Sequence, residues 1–123
     1  MNGKEILADT NILLYLLKGN DTIEEMLQGK KIYISFITEL ELIGFRDITA
    51  KEEKQIELLL ADCLIVSLNN KIKEKYVELR KKHRLKLADA IIIATSITSK
   101  IPLISADKQF KVVKELSLVT YEK

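Results

Sequence analysis

The sequence predicts an α/β domain with a mainly parallel central sheet. Short apolar runs alternate with helix-forming stretches along the 123 residues. The runs, such as Ile6-Leu7-Ala8 and Leu64-Ile65-Val66-Ser67-Leu68, are nearly continuous rather than apolar at every second position. A strand covered by helices on both faces needs apolar residues on both, as in parallel sheets.

Taken in order, Ile6–Ala8 is the first strand, and Asn11–Leu17 a helix ending near Gly19. Thr22–Leu27 is a second short helix closed by Gly29, and Ile32–Ser35 is a strand of β-branched and aromatic residues. Thr38–Phe45 reads as a helix, with Thr38 and Glu41 spaced as a capping box. Ala50–Asp62 is amphipathic, with Ile56, Leu59 and Leu60 on one side. Leu64–Leu68 is a strand, Asn70–Lys82 a polar helix, and Leu87–Ser99 a helix apolar on nearly every face and therefore buried. Leu103–Ser105 and Leu118–Tyr121 complete the strands. No composition shift, repeat or low-complexity segment divides the chain, so one domain over residues 1–123 is expected.

Composition narrows the function. At 47% hydrophobic the chain can bury a core without disulfides, and its single cysteine and single histidine exclude a Cys/His zinc site. The start, Met1-Asn2-Gly3-Lys4-Glu5, is polar and precedes only three apolar residues. That is far short of a signal peptide, and no run could span a bilayer. A soluble, cytoplasmic protein without membrane contact is expected. The four glycines are too far apart for a phosphate-cradling loop.

Four acids stand out. Asp9 follows the first strand, Glu41 lies on the helix after the second, and Asp107 follows Leu103-Ile104-Ser105. Asp89 is the one charge in Leu87-Ala88-Asp89-Ala90-Ile91-Ile92-Ile93-Ala94. Each has a structural explanation: Asp9 as a helix N-cap, Glu41 in a capping box, Asp89 as a first-turn acid favoured by the helix dipole, Asp107 as a turn residue. Their common position is more informative. Ligands of open parallel sheets bind beyond the carboxyl ends of the strands, where Asp9, Glu41 and Asp107 all fall. Asp89 joins them if its helix begins at that edge, and the sequence does not fix the path of the two helices before Leu103. Setting the four aside leaves 20 cationic against 14 acidic residues, a body of net charge +6 around an acidic spot.

Carboxylates gathered in one place repel unless cations neutralise them, and an all-oxygen set selects Mg²⁺ or Mn²⁺. One or two such ions at a phosphodiester activate water and stabilise the leaving oxygen. Ser105, two residues before Asp107, can hydrogen-bond that acid or a metal-bound water.

Together, Asp9-Thr10-Asn11, Ser35-Phe36-Ile37-Thr38 leading to Glu41-Leu42, the Leu87–Thr95 run around Asp89, and Leu103-Ile104-Ser105-Ala106-Asp107 with Phe110 resemble the PIN-domain nucleases. The size is most similar to the VapC toxins of type II toxin–antitoxin pairs. The resemblance spans residues 6 to about 113. It implies an α/β/α sandwich and Mg²⁺- or Mn²⁺-dependent endoribonuclease activity. It also implies a homodimer and a small antitoxin that blocks the site. By position Asp9, Glu41, Asp89 and Asp107 fall on the family's acidic quartet as metal ligands and catalytic residues, with Ser105 on its small hydroxyl and Thr10 and Asn11 supporting. Gln109 stands where some members carry a further acid, and Gly44 follows Glu41 by three residues where many toxins have four.

The basic run Arg80-Lys81-Lys82-His83-Arg84-Leu85-Lys86 is either a solvated helix junction or a phosphate track leading to Asp89, with Arg80, Lys81, Lys82, Arg84 and Lys86 on RNA. His83 is expected at the surface and Cys63 as a packed thiol. A non-catalytic RNA- or protein-binding domain of the same fold is the alternative, with Gln109 as its hint. A DNA-directed or flap-type nuclease would use the same fold. A phosphoacceptor receiver domain would need an acid pair where Ile6-Leu7-Ala8 stands.

Overall fold

Five strands, all parallel, form the sheet of the computed structural model, which describes residues 3–122. Met1 and Asn2, part of the polar start weighed above against a signal peptide, lie outside the described residues, as does Lys123. The strands are β1 (Glu5–Ala8), β2 (Lys31–Ser35), β3 (Leu64–Val66), β4 (Leu103–Ser105) and β5 (Leu118–Thr120), in the spatial order β3-β2-β1-β4-β5. Between them run α1 (Thr10–Leu17), α2 (Asp21–Leu27), α3 (Phe36–Ile43), α4 (Ala50–Ala61), α5 (Asn70–Lys82) and α6 (Leu87–Ser99), with a 3-10 helix over Lys108–Val112.

The continuous apolar strands divide their side chains between two cores, because successive residues of a strand point to opposite faces. Leu7 and Leu103 enter a core with Ile72 and Leu79 of α5, Ile92 and Ile93 of α6, and Phe110. Ile6, Ala8 and Ile104 enter the other, with Ile12 and Leu13 of α1, Ile23 of α2, Leu42 of α3 and Ile56 of α4. The result is the expected three-layer α/β/α sandwich. Among the described residues, no helix is long and apolar enough to cross a membrane.

Several bounds differ from the sequence reading: the third helix is Phe36–Ile43 rather than Thr38–Phe45, and β5 ends at Thr120 rather than Tyr121. β3 stops at Val66 rather than Leu68. The 3-10 turn at Lys108–Val112 had no signal of its own. The Thr38–Glu41 capping box does not form: β2 runs directly into α3, and Ser35 both ends the strand and caps the helix by accepting from the Ile37 amide. Thr38 lies inside the helix and is fully buried. A reciprocal capping box occurs instead at Thr49 and Glu52, opening α4.

The chain crosses from β1 outward to β2 and β3, then returns over two strands to place β4 on the other side of β1. The order therefore reverses between β1 and β4, and such a switch point opens a crevice at the carboxyl ends of the strands. Asp9 leaves β1 and Asp107 follows β4 at that crevice.

Candidate active site

Asp9 is held from two sides. One carboxylate oxygen caps α1 by accepting from the Ile12 amide at 2.9 Å. The other accepts from the Ser105 hydroxyl on the neighbouring strand. Capping and site placement are thus not alternatives here, since one oxygen serves each. Ser105, fully buried, also accepts from the Asp107 amide at 3.0 Å, so this hydroxyl ties both strand-end acids together. Asp107 in turn accepts from the Gln109 amide and starts the 3-10 helix.

Glu41 approaches from α3. Its exposed side chain accepts from the Thr10 hydroxyl at 2.5 Å, and Thr10 also lies 3.1 Å from the Thr38 hydroxyl. Leu40, next to Glu41 on α3, is half exposed. Asp89 sits in the first turn of α6, which begins at the same edge as the strand ends. That settles the path the sequence left open.

Asp9, Glu41 and Asp89 line one cleft of about 200 Å³, with Thr10 and Asn11 on its polar wall and Phe45 on its apolar wall. Asp107 is outside the lining but close enough for its charge to act on both Asp9 and Asp89. The sequence reading missed Phe45 and the role of Thr38 as a partner of Thr10. An aromatic residue directly after the helix-ending Gly44 was the available signal for the first.

Burial is the main cause that raises the Asp9 pKa above the ordinary aspartate value; the Ser105 and Ile12 hydrogen bonds pull it back, and repulsion by Asp89 and Asp107 adds to the rise. Asp89 is raised by burial first and by repulsion from Asp107, against an opposing pull from Lys86 and a further push from Glu41. Among the described residues, none of the four acids forms a salt bridge. Lys86 offsets part of the repulsion, and it acts on Asp89 without a direct ion pair. The donors fit a hard cation by chemistry, although among the described residues no three of them converge on one point as they stand.

This electrostatics has a measurable consequence for the metal-free chain. A carboxyl whose folded pKa lies above its unfolded value favours folding while protonated; that contribution is present at low pH and is lost as pH rises through the raised value. Asp89→Asn removes the charge, so at neutral pH it is expected to raise the melting temperature in chelator by about 2–4 °C. The gain should shrink to nothing as pH falls below the unperturbed 3.8. Equal melting of parent and variant at pH 7 would show that the cluster is not under electrostatic strain.

The thiol of Cys63 is half-buried, and burial and the neighbouring Asp62 push its pKa up to about 11, which suits packing rather than nucleophilic attack. His83, expected at the surface, is likewise half-buried, within the basic run.

A sequence profile of the PIN domain matches residues 6–116, nearly the full described chain. The chain belongs to the PIN domain family. The family's fold recurs in solved structures. One from Klebsiella pneumoniae, a toxin–antitoxin complex, is 32% identical with a TM-score of 0.82 over 96% of this chain and 99% of that one. VapBC-1 from nontypeable Haemophilus influenzae is 25% identical, TM-score 0.78, over 94% and 97% of the two chains. VapBC2 from Rickettsia felis, bound to a promoter DNA fragment, is 23% identical with a TM-score of 0.85 over 96% and 99%, and speaks for the fold alone. No curated protein matches the chain.

Proposed function

We propose that this PIN-domain protein is a metal-dependent endoribonuclease, the toxin of a toxin–antitoxin pair, acting in the cytoplasm. The observation that carries the reading is the gathering of Asp9, Glu41, Asp89 and Asp107 near the β1/β4 switch point, none of them in a salt bridge among the described residues. These four would hold one or two Mg²⁺ or Mn²⁺ ions. When bound, such an ion supplies the positive charge that favours attack of water on the phosphodiester and stabilises the leaving oxygen.

The chain's own residues prepare that chemistry. Ser105 fixes the Asp9 carboxylate by donating to it and fixes the Asp107 backbone by accepting from it. Thr10 holds Glu41 through its hydroxyl. Burial of Asp9 and Asp89 makes each a stronger partner for a cation than a solvated carboxylate, because the uncompensated charge has lost water. One of the acids can also receive the proton of the attacking water.

A small antitoxin is the proposed protein partner, by likeness to the Klebsiella complex at 32% identity. A second copy of the chain is proposed as well, supported by exposed apolar side chains such as Ile43 and Leu58. Light scattering of the purified chain at several concentrations tests that point.

Removing metal is the decisive experiment. Cleavage of a single-stranded RNA by the purified chain should disappear in excess chelator and return with Mn²⁺ or Mg²⁺. Undiminished cleavage in chelator would overturn the reading. The alternative, a non-catalytic binding domain, draws support from Gln109 at the position of a further acid and from the open spacing of the four carboxylates. Calorimetry separates the two, since a chain that takes up no Mn²⁺ and cuts no RNA fits only the second.

A further inference from the structure

The acid cleft has a basic neighbour. Arg80, His83, Arg84, Leu85 and Lys86 line a shallow groove at the α5–α6 junction. A second groove shares His83, Arg84 and Leu85 with it and continues past Lys82 to Gln109 and Val112. The two form one surface that borders the acid site twice: Lys86 precedes Asp89 by three residues, and Gln109 follows Asp107 by two.

The charges of this groove are largely unspent. Lys75 and Lys82 are tied into ion pairs with Glu78 and Glu115, whereas Arg80, Lys81, Arg84 and Lys86 form no salt bridge among the described residues. Arg80 is held in place by stacking 5.7 Å over the Tyr76 ring and donating to its hydroxyl, which leaves most of its guanidinium donors free. An arginine ordered in this way loses less side-chain entropy on binding an anion. Lys86 breaks a local rule: it occupies the N-cap of α6, offers no capping side chain, and sets a positive charge at the positive end of the helix dipole. Its charge acts on Asp89 in the first turn of the same helix, so Lys86 stands where the groove meets the acid site. Val112, more than half exposed, adds an apolar surface to the groove.

We propose that this groove is the track for the phosphodiester backbone of single-stranded RNA, with Arg80, Arg84 and Lys86 on successive phosphates and the chain led toward Asp89 and Asp107. Unpaired nucleotides can lay a base or ribose against Val112, which a duplex keeps stacked away. The inference rests on the ribonuclease reading but is tested apart from it.

The test is binding of a short fluorescent single-stranded RNA in chelator, followed by anisotropy over a range of NaCl concentrations. The variant Arg80→Ala/Arg84→Ala/Lys86→Ala should bind at least ~10-fold more weakly at low salt. Its salt slope should be shallower by about 2, at roughly 0.7 per lost phosphate contact on a single strand. Lys30→Ala/Lys31→Ala/Lys51→Ala, which removes three cations outside the groove, should keep the parental slope. Parental affinity in the groove variant, or an equal loss in the control, would overturn the track. Arg84→Ala alone, at an exposed site without a salt bridge among the described residues, should make the slope shallower by about 0.7 and serves if the triple variant folds poorly. Chelator prevents cleavage on the ribonuclease reading, so a chain that binds through the groove but never cuts RNA with metal would sink the nuclease and leave the track standing.

Discussion

Asp9→Asn is expected to lower RNA cleavage in Mn²⁺ by at least about 10²–10³-fold, the usual scale for losing one preorganised electrostatic contributor. The fold should survive. Asn is as good an N-cap as Asp, and its carbonyl oxygen can keep the bond from the Ile12 amide at the start of α1. The change falls on the other oxygen. The Ser105 hydroxyl now donates to a carboxylate; in the variant it meets an amide that itself donates, and the site loses a full negative charge. Circular dichroism and a melting curve check the fold, and gel analysis of RNA cleavage reads the chemistry. Full cleavage by the folded variant would remove Asp9 from the proposed machinery without touching the family membership.

The second large effect is structural. Phe110→Ala should destabilise the chain by about 3–5 kcal/mol, a substantial part of the ~5–15 kcal/mol that holds a typical domain together. Phe110 is 2% exposed and is the aromatic anchor of the core that also holds Leu103, Val113 and Leu116. It lies on the 3-10 helix that Asp107 caps, so its loss frees the turn that positions an acid of the site. Urea unfolding measures the loss, and cleavage below the melting temperature should fall by more than the unfolded fraction explains. Phe45→Ala is the contrast: that ring is 39% exposed on the cleft wall, and its removal should leave the urea midpoint nearly unchanged. Similar destabilisation by the two changes would show that Phe110 is not the anchor assigned to it.

Much of the site's layout was readable because it follows from a local rule. A carboxylate directly after an apolar strand lies at the carboxyl edge of a parallel sheet, and this alone placed Asp9 and Asp107 on one side of the molecule. Thr38 shows where local reasoning misleads. Its spacing to Glu41 satisfies the capping-box pattern, but β2 enters α3 without a loop, so Ser35 takes the cap first and Thr38 is turned inward beside Thr10. Two residues competed for one job, and the shorter connection decided between them. The pattern appeared instead at Thr49 and Glu52, where a loop precedes the helix.

The chain's linear order determined the alternation of strands and helices, the two-sided burial of the sheet, and the edge at which three of the four acids lie, because strand and helix periods are properties of neighbouring residues. Folding in three dimensions decided what neighbours in sequence cannot specify. The return of the chain across β2 and β1 put β4 beside β1, opened the crevice between them, and brought the first turn of α6 with Asp89 to its rim. Only at that packing distance does desolvation add to like-charge repulsion, and both raise the pKa values of Asp9 and Asp89 above the ordinary aspartate value.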